Sequence, residues 1–437
     1  MAGGTKKKRV ARGSKKKKGA VRDVVADLTD DVLVDILSRV PVKSLCLCKS
    51  VCRRWRDLIS DPDHGKKLPQ TLAGFFYGSY DTKRFLTLAG HFISVSGDPV
   101  INPSLSFLPK YESIDFVDGC NGLLLCRGWK PTHPVTLDYL VCNPATEKWV
   151  VVPDSGWSRK AARYEQYEQT ITRLGFDPAR IARLGFDPAV STHFHVFELI
   201  PDHVLHMDDR EMDVSNYYRM LLKNNCNGSI QVVATYSSNT GIWSLKEEHF
   251  NWNGDGGFGM RMAMGSKGVF FNGVLHLASC HGLVLAIDVA GNILRGIPAP
   301  MPPDYDNYIR EKFGDVYLSQ GHLYFAARRV ADGSNDYGLS VWVLEDYNSE
   351  NWSLKHNFNI LDLFGAHYYS VFRDNFKVIS IHPERNVIFM VCGTDRTLMC
   401  YEMDHRRLRF VSRLGSHCST PYIPYVPLFS GSMADGH

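Results

Sequence analysis

The densest group of side chains that could bind a metal ion lies between positions 193 and 209 of this 437-residue chain. It holds four histidines and two aspartates: His193, His195, His203, His206, Asp208 and Asp209. The first two are two positions apart in a strand-like segment, so they point to one strand face. Histidines there are explained more often by cross-strand packing or solvent than by a metal ion. We predict no metal site.

Cysteines and catalytic motifs add no further candidate. Cys46, Cys48 and Cys52 are close together on short helical segments without a second C-x-x-C pair, which favours small hydrophobic residues over zinc ligands. The sequence contains no H-E-x-x-H, G-x-S-x-G, Walker-type or dinucleotide-binding motif. These observations predict neither a cofactor nor a catalytic residue.

Composition is that of an ordinary globular protein, with 44% hydrophobic and 22% charged residues. The net charge is only +4 and much of it lies near the N-terminus, so the rest gives no reason to expect nucleic acid as a partner. No apolar run is long enough to span a membrane, the apolar segment of a secretory signal is missing, and 11 scattered cysteines fit reduced thiols. We expect an intracellular protein without a membrane partner.

Residues 1–22 are predicted to be a disordered basic tail, because they contain KKKR at 6–9 and KKKK at 15–18 and little apolar surface. Two such clusters favour recognition by nuclear import machinery slightly over a merely solvated tail. The expected location is therefore the nucleus, the cytoplasm or both.

Residues 23–65 are predicted to form a compact helical domain. Its first helix has apolar residues at the spacing of one helix face: Leu33, Ile36, Leu37 and Val40. Thr29 or Asp30 can cap this helix, and Pro41 stops it. A second helical stretch covers about residues 42–48. A third begins at Val51 and places another set on one face: Val51, Trp55, Leu58 and Ile59. So small a domain buries little surface, which indicates that some of these residues face a partner or a neighbouring domain.

This domain resembles an F-box of the plant type, whose pattern is a leucine-proline start, an acidic pair, I-L-x-R-x-P-V-K-S-L and V-C-x-x-W-x-x-L-I-S-D-P. The chain matches this pattern in order with Leu28, Asp30, Asp31, Ile36, Leu37, Arg39, Pro41, Val42, Lys43, Ser44, Leu45, Val51, Cys52, Trp55, Leu58, Ile59, Ser60, Asp61 and Pro62. It departs from the pattern at Thr29, where proline is usual, and at His64, where an aromatic residue is common.

The resemblance implies a substrate-recognition adaptor of a Skp/cullin/F-box ubiquitin ligase, without catalytic residues of its own. F-boxes of this family dock on a Skp-type linker protein, which connects them to cullin and RING subunits. The implied docking residues are Leu28, Leu33, Ile36, Leu37, Pro41, Leu45, Val51, Cys52, Trp55 and Leu58.

Residues 70–430 are predicted to form a mainly β domain, a β-propeller of about six blades. Short apolar or alternating runs separated by Gly, Pro, Asn and Asp give roughly two dozen strands, four to a blade. Asn272-Gly273, Gln320-Gly321 and residues 384–386 are predicted hairpin turns. The segment 420–429 is expected to close the ring by pairing with a strand near residues 71–77.

Three segments of this domain resemble elements of the F-box-associated repeat domain of plant F-box proteins, namely residues 119–126, 141–153 and 184–199. A ten-residue copy is unusual, because ITRLGFDPAR at 171–180 is followed at once by IARLGFDPAV at 181–190. We expect the second copy to lie in the sheet and the first to form an added loop.

Two long insertions, residues 202–220 and 301–315, are candidates for target recognition, because a rigid scaffold usually carries recognition on such loops. Their tyrosines suit such a surface: Tyr217, Tyr218, Tyr305 and Tyr308. The alternative is that both insertions are solvated connections.

Two other functions stay open. One is a propeller hydrolase or ligand-binding protein with an incidental helical cap, which paired carboxylates at the central channel would favour. The other is a nuclear scaffold with a basic tail, in which Thr29 prevents contact with the ligase.

Overall fold

The computed structural model describes residues 1, 3, 28–40, 44, 48, 51–60, 64, 72–80, 87–95, 102–130, 136–156, 181–201, 226–247, 261–263, 266–279, 282–300, 314–330, 337–365 and 376–428. Three helices have described bounds: α1 (Asp30–Ser38), α2 (Arg53–Ser60) and α3 (Ile360–Phe364). No helix among these residues is long and apolar enough to cross a membrane.

Twenty-four strands within the described residues form six sheets, which we call blades 1 to 6. Blade 1 has β1 (Gly74–Tyr80), β2 (Thr87–Ser94) and β24 (Cys418–Tyr425). Blade 2 has β3 (Ser113–Cys120), β4 (Leu123–Lys130), β5 (Thr136–Asn143) and β6 (Lys148–Val152). Blade 3 has β7 (Ile181–Gly185), β8 (His195–Pro201), β9 (Cys226–Ser237), β10 (Ile242–Glu247) and β11 (Arg261–Ala263).

Blade 4 has β12 (Gly268–Phe271), β13 (Val274–Ala278), β14 (Leu283–Asp288) and β15 (Ile293–Pro298). Blade 5 has β16 (Asp315–Ser319), β17 (His322–Val330), β18 (Tyr337–Leu344) and β19 (Trp352–Asn359). Blade 6 has β20 (Phe376–Ile381), β21 (Val387–Cys392), β22 (Thr397–Glu402) and β23 (Arg407–Arg413). The prediction of a mainly β chain with about six propeller blades is confirmed.

The core of the propeller lies between blades. Each of six apolar clusters takes its buried side chains mainly from two neighbouring blades, so all six interfaces of the ring are filled. Between blades 1 and 6, for example, the rings of Phe75 and Phe389 meet edge to face at 5.2 Å. Burial of apolar surface between blades is therefore what holds the ring closed.

The two ends of the propeller domain meet in blade 1. Strand β24 pairs antiparallel with β1, with Tyr425 opposite Gly74 and Ile423 opposite Phe76. The predicted closure by the C-terminal segment is confirmed. Beyond β24, the side-chain amide of Asn143 in blade 2 donates a hydrogen bond of 2.9 Å to the carbonyl oxygen of Leu428.

The hairpins follow the predicted turn chemistry at two of three positions. Asn272-Gly273 has φ angles of 52° and 77°, and Gln320-Gly321 has 50° and 74°, the positive pair that a tight hairpin turn requires. Asn121-Gly122 joins β3 to β4 in the same way, with 46° and 87°. The link from β20 to β21 has no positive φ angle at residues 384–386, so it turns by another geometry.

The second copy of the tandem repeat supplies β7, as expected, and the first copy lies outside the described residues.

The placement of His193 and His195 on one strand was wrong. Strand β8 begins only at His195, because the backbone before it is still in the connection from β7.

Candidate docking site

Two short helices at the N-terminal end hold each other by apolar side chains. Leu33, Val34 and Leu37 of α1 are buried, and they meet Leu58 and Ile59 of α2. The indole of Trp55 packs against both parts of this contact. The buried face of α1 therefore includes Val34, which the sequence pattern did not select.

Charged residues secure the same pair of helices. Arg54 of α2 donates to the carboxylate of Asp30 at the start of α1, with 2.9 Å between Nε and Oδ1, and also to the carbonyl oxygen of Leu28. Asp30 and Asp31 lie in the first turn of α1, where the helix dipole favours negative charge. These contacts fix the angle between the two helices.

An apolar surface on these helices is exposed. Val32 and Ile36 are one turn apart on α1 and are 45% and 44% exposed, and Val51, just before α2, is 63% exposed. Cys52 beside it is also exposed. We call Val32, Ile36, Val51 and Cys52 the exposed apolar face. Three large aliphatic side chains of this small unit are therefore in contact with water.

The ten residues predicted to dock divide into three groups. Ile36, Val51 and Cys52 are exposed, whereas Pro41 and Leu45 lie outside the described residues. The remaining five are buried or partly buried and pack within the helical pair: Leu28, Leu33, Leu37, Trp55 and Leu58. Val32 was missed, although its place four residues before Ile36 could have indicated it.

Thr29 is the N-cap residue of α1, but its side chain makes no capping hydrogen bond. Its φ angle is −69° and its ψ angle 158°, values that proline also adopts. Threonine therefore holds the backbone here in the conformation that the usual proline would impose. The helix ends at Ser38, before Pro41.

Residues 25–67 match the family model of the F-box domain. F-box protein At5g07610 of Arabidopsis thaliana is 25% identical over 78% of this chain and 73% of its own length. The chain therefore contains an F-box domain, and over most of its length it is similar to F-box proteins of Arabidopsis thaliana. A second such relative, F-box protein At5g49610, is 25% identical over 74% of this chain and 77% of its own length.

Among solved structures, oligogalacturonate lyase in complex with manganese overlaps 79% of this chain and 80% of its own chain at 9% identity. The TM-score is 0.36, which is too low to carry an argument about function. Within the part of the chain that the structure describes, no group of three or more metal-binding side chains occurs.

The other predicted site residues fall outside the described residues. This applies to the four tyrosines proposed for target recognition and to the later members of the histidine and aspartate group: Tyr217, Tyr218, Tyr305, Tyr308, His203, His206, Asp208 and Asp209. Of that group, His193 and His195 are described, and burial lowers the pKa of His195, with a further contribution from His193.

The innermost strands of the propeller carry a charged cluster that the sequence did not reveal. Five consecutive blades contribute one charged residue each, and we call these residues the channel cluster: Asp118, Arg183, Lys267, Asp315 and Lys377. All five are partly exposed. Four of them lie on the first, innermost strand of their blade, and Lys267 lies one residue before such a strand.

Hydrogen bonds from this cluster join inner strands that do not pair with each other. The Asp118 carboxylate accepts from the amide of Leu184 at 2.9 Å, and the Asp315 carboxylate accepts from the amide of Lys267 at 3.0 Å. The Lys267 ammonium group donates to the carbonyl oxygen of Tyr422 in blade 1 at 3.0 Å, and to that of Ile379 in blade 6. Carboxylates therefore satisfy free amides and the lysine satisfies free carbonyls along the channel.

Burial shapes the protonation of this cluster. It raises the pKa values of Asp118 and Asp315, while the cations around them act in the opposite direction. It lowers the pKa of Lys267 to about 7, which Asp315 partly opposes. Both carboxylates are held by backbone amides and face cations, an arrangement suited to joining blades.

Proposed function

We propose that this protein is the substrate-recognition adaptor of a Skp/cullin/F-box ubiquitin ligase. The F-box docks on a Skp-type linker, and through it on cullin and RING subunits, while the propeller binds a target protein. The chain then acts by proximity, because it holds the target protein close to the ubiquitin-conjugating enzyme that the ligase carries. The observation that carries this proposal is the exposed apolar face on helices whose sequence matches the F-box domain.

The energetics of that face support docking. Burying one large aliphatic side chain contributes about 1.5–3 kcal/mol, so Val32, Ile36 and Val51 together can supply a large part of the affinity for a partner. The buried residues Leu37 and Leu58 act on docking only indirectly, because they hold the two helices at the angle that presents this face.

Co-purification of the full chain with a recombinant Skp-type linker tests the docking assignment. Ile36→Ser and Val51→Ser should each weaken the complex about tenfold, because each removes apolar surface that docking buries. The control is Leu354→Ser, a change at a comparably exposed leucine on β19. Equal retention of all three variants would refute docking through this face.

Interior substitutions answer a different question. Leu37→Ala would empty a fully buried site and cost about 2–5 kcal/mol, enough to unfold so small a unit. Loss of the linker in that variant would therefore report on folding, whereas Ile36→Ser and Val51→Ser leave the helical pair intact.

We place target recognition on one face of the propeller. Strand β8, the second of its blade, ends at Pro201, and β15, the fourth, ends at Pro298. Even-numbered strands of a blade run in the same direction, so both strands end at the same face. The opposite face is formed by tight hairpins such as Asn121-Gly122 and Asn272-Gly273. The segments that follow β8 and β15 contain the four candidate tyrosines.

Proximity labelling in cells tests this placement. The paired variants Tyr217→Ala with Tyr218→Ala, and Tyr305→Ala with Tyr308→Ala, should lose labelled proteins while keeping the Skp-type linker. An unchanged set of labelled proteins in both would count against these tyrosines.

We also propose that the basic tail directs the protein to the nucleus. Deleting residues 1–18 from a fluorescent fusion should lower its nuclear content, and an unchanged nuclear content would contradict this proposal.

The competing function, a propeller hydrolase, requires carboxylates that are free to exchange protons with a substrate. Asp118 and Asp315 are the carboxylates of the channel cluster, and each accepts a hydrogen bond from a backbone amide of a neighbouring blade. This arrangement favours a structural role for both, and with it the adaptor.

A further inference from the structure

The channel cluster has more basic than acidic side chains. Arg183, Lys267 and Lys377 accompany two carboxylates, and Lys267 carries its charge below its pKa of about 7. Burial lowers the pKa values of Arg183 and Lys377. Asp118 and Asp315 oppose this effect at Arg183, and Asp315 opposes it at Lys377, while the neighbouring cations Arg127 and Arg396 add to it.

The existing acceptors of this region are already engaged. Asp118 accepts from the Leu184 amide, and Asp315 accepts from the Lys267 amide through both carboxylate oxygens, at 3.0 Å and 3.1 Å. The ammonium group of Lys267 is likewise used, because it donates to the carbonyl oxygens of Ile379 and Tyr422.

Two donors beside these groups have no acceptor. The Nε of Arg183 and the hydroxyl of Ser266 are buried without a hydrogen-bond partner, and Ser266 is only 6% exposed. They are neighbours, since the guanidinium of Arg183 also donates to the carbonyl oxygen of Ser266. Buried donors without acceptors are rare and costly, so two of them next to a surplus of basic side chains indicate a missing anion.

The backbone keeps the guanidinium in place. A Cβ atom at Gly268 would lie 2.8 Å from Cδ of Arg183, so only glycine lets this side chain cross the start of β12. The Nη1 atom of Arg183 also donates to the carbonyl oxygen of Ala182 at 2.7 Å. The free Nε therefore has a fixed direction, as a preorganised anion site requires.

We propose that the propeller channel binds a small oxyanion beside Arg183 and Ser266. Its oxygens accept from Arg183 Nε and the Ser266 hydroxyl, and Lys377 contributes positive charge from blade 6. A planar guanidinium and a hydroxyl suit phosphate and carboxylate groups, which offer several acceptor oxygens at once. This inference is independent of docking to the ligase, because the F-box residues take no part in it.

Calorimetric titration of the full chain with inorganic phosphate, and separately with citrate, tests the site at constant ionic strength set by sodium chloride. We expect saturable binding of one anion per chain. Ser266→Ala removes one donor and leaves every charge in place, and it should weaken binding about tenfold, as should Arg183→Met. The matched control is Arg409→Met, at an exposed arginine of β23 that pairs with Glu402 at 2.9 Å.

Thermal unfolding in the same solutions provides a second readout, since a ligand of the folded state raises Tm in a saturable way. Phosphate and citrate also raise Tm of most proteins without a site. The same rise in Ser266→Ala as in the wild type and Arg409→Met would identify that general effect and overturn the proposal. If Arg183→Met does not fold, Ser266→Ala alone tests the proposal. An affinity of Ser266→Ala for phosphate and citrate equal to that of the wild type would then contradict the site.

Discussion

The indole nitrogen of Trp243 donates a hydrogen bond of 2.7 Å to the carbonyl oxygen of Pro153, which joins the outer strand of blade 3 to the end of the outer strand of blade 2. Blades 4 and 5 repeat this relationship, with 2.8 Å between Trp352 Nε1 and the carbonyl oxygen of Pro298. In both places a tryptophan on β10 or β19 fixes the rim of the propeller, where the apolar clusters reach the surface.

Removing one of these bonds should lower stability modestly. Trp243→Phe keeps an aromatic ring but loses the donor, so we expect the free energy of unfolding to fall by about 0.5–1.5 kcal/mol in urea denaturation. Trp352→Phe should have the same effect, since its bond has the same geometry. A change of Trp243 to phenylalanine without any loss of stability would show that the bond contributes nothing net.

Closure of the ring depends on a buried amide. Asn143 is 1% exposed, and its side chain donates to the carbonyl oxygen of Leu428. Asn143→Ala leaves that carbonyl without its donor, which should cost about 1–3 kcal/mol and increase hydrogen exchange in β24. Asn386→Ala removes the exposed bond to Asp404 and the exposed bond accepted from Gln320, and it should change little. Equal effects of the two changes would contradict the role of Asn143 in closure.

The local patterns of the chain were predictable because they depend on neighbouring residues. The pair Asn272-Gly273 predicts a hairpin turn, and the apolar segment at 420–429 predicts a strand that needs a pairing partner. The channel cluster was not predictable, since Asp118 and Lys267 are far apart in the sequence and interact only once the blades have assembled. Helical spacing placed Ile36 on one face with Leu33 and Leu37, but in the structure Ile36 is exposed and Val34 is buried beside them, because a pair of short helices buries only a narrow stripe.

Thr29 offers a test of the departure from the family pattern. Since its φ angle is −69°, Thr29→Pro should stabilise the helical pair by about 0.4–1 kcal/mol, by restricting the unfolded chain. Hydrogen exchange of the amides in α1 measures the effect, and affinity for the Skp-type linker should rise or stay the same. Thr29→Ala serves as the control and should be nearly neutral, because the threonine side chain makes no capping bond. Faster exchange in the proline variant would contradict this reading.

The protonation of Lys267 should make stability depend on pH. Burial lowers the pKa of Lys267 to about 7 in the folded chain, whereas an unfolded lysine titrates near 10.4. Between these values the unfolded chain binds a proton that the folded chain does not, so the contribution of Lys267 to the free energy of unfolding rises as pH increases from about 7 towards 10. Lys377 acts in the same direction, because burial lowers its pKa too.

Urea denaturation at about pH 7 and about pH 9 measures this contribution as the difference between the wild type and Lys267→Met, before unfolded tyrosines begin to titrate. The difference is needed because burial raises the pKa values of Cys120 and Cys392 to about 12, so these thiols release protons only in the unfolded chain over this range and lower the free energy of unfolding.

Lys267→Met should lose the favourable contribution, whatever its effect on absolute stability, because methionine takes up no proton. Lys355→Met, at an exposed lysine of β19, should keep the wild-type pH dependence. The same pH dependence in the wild type and in Lys267→Met would mean that the lysine stays charged beside the carbonyl oxygens of Ile379 and Tyr422, and that its bonds outweigh the cost of burial.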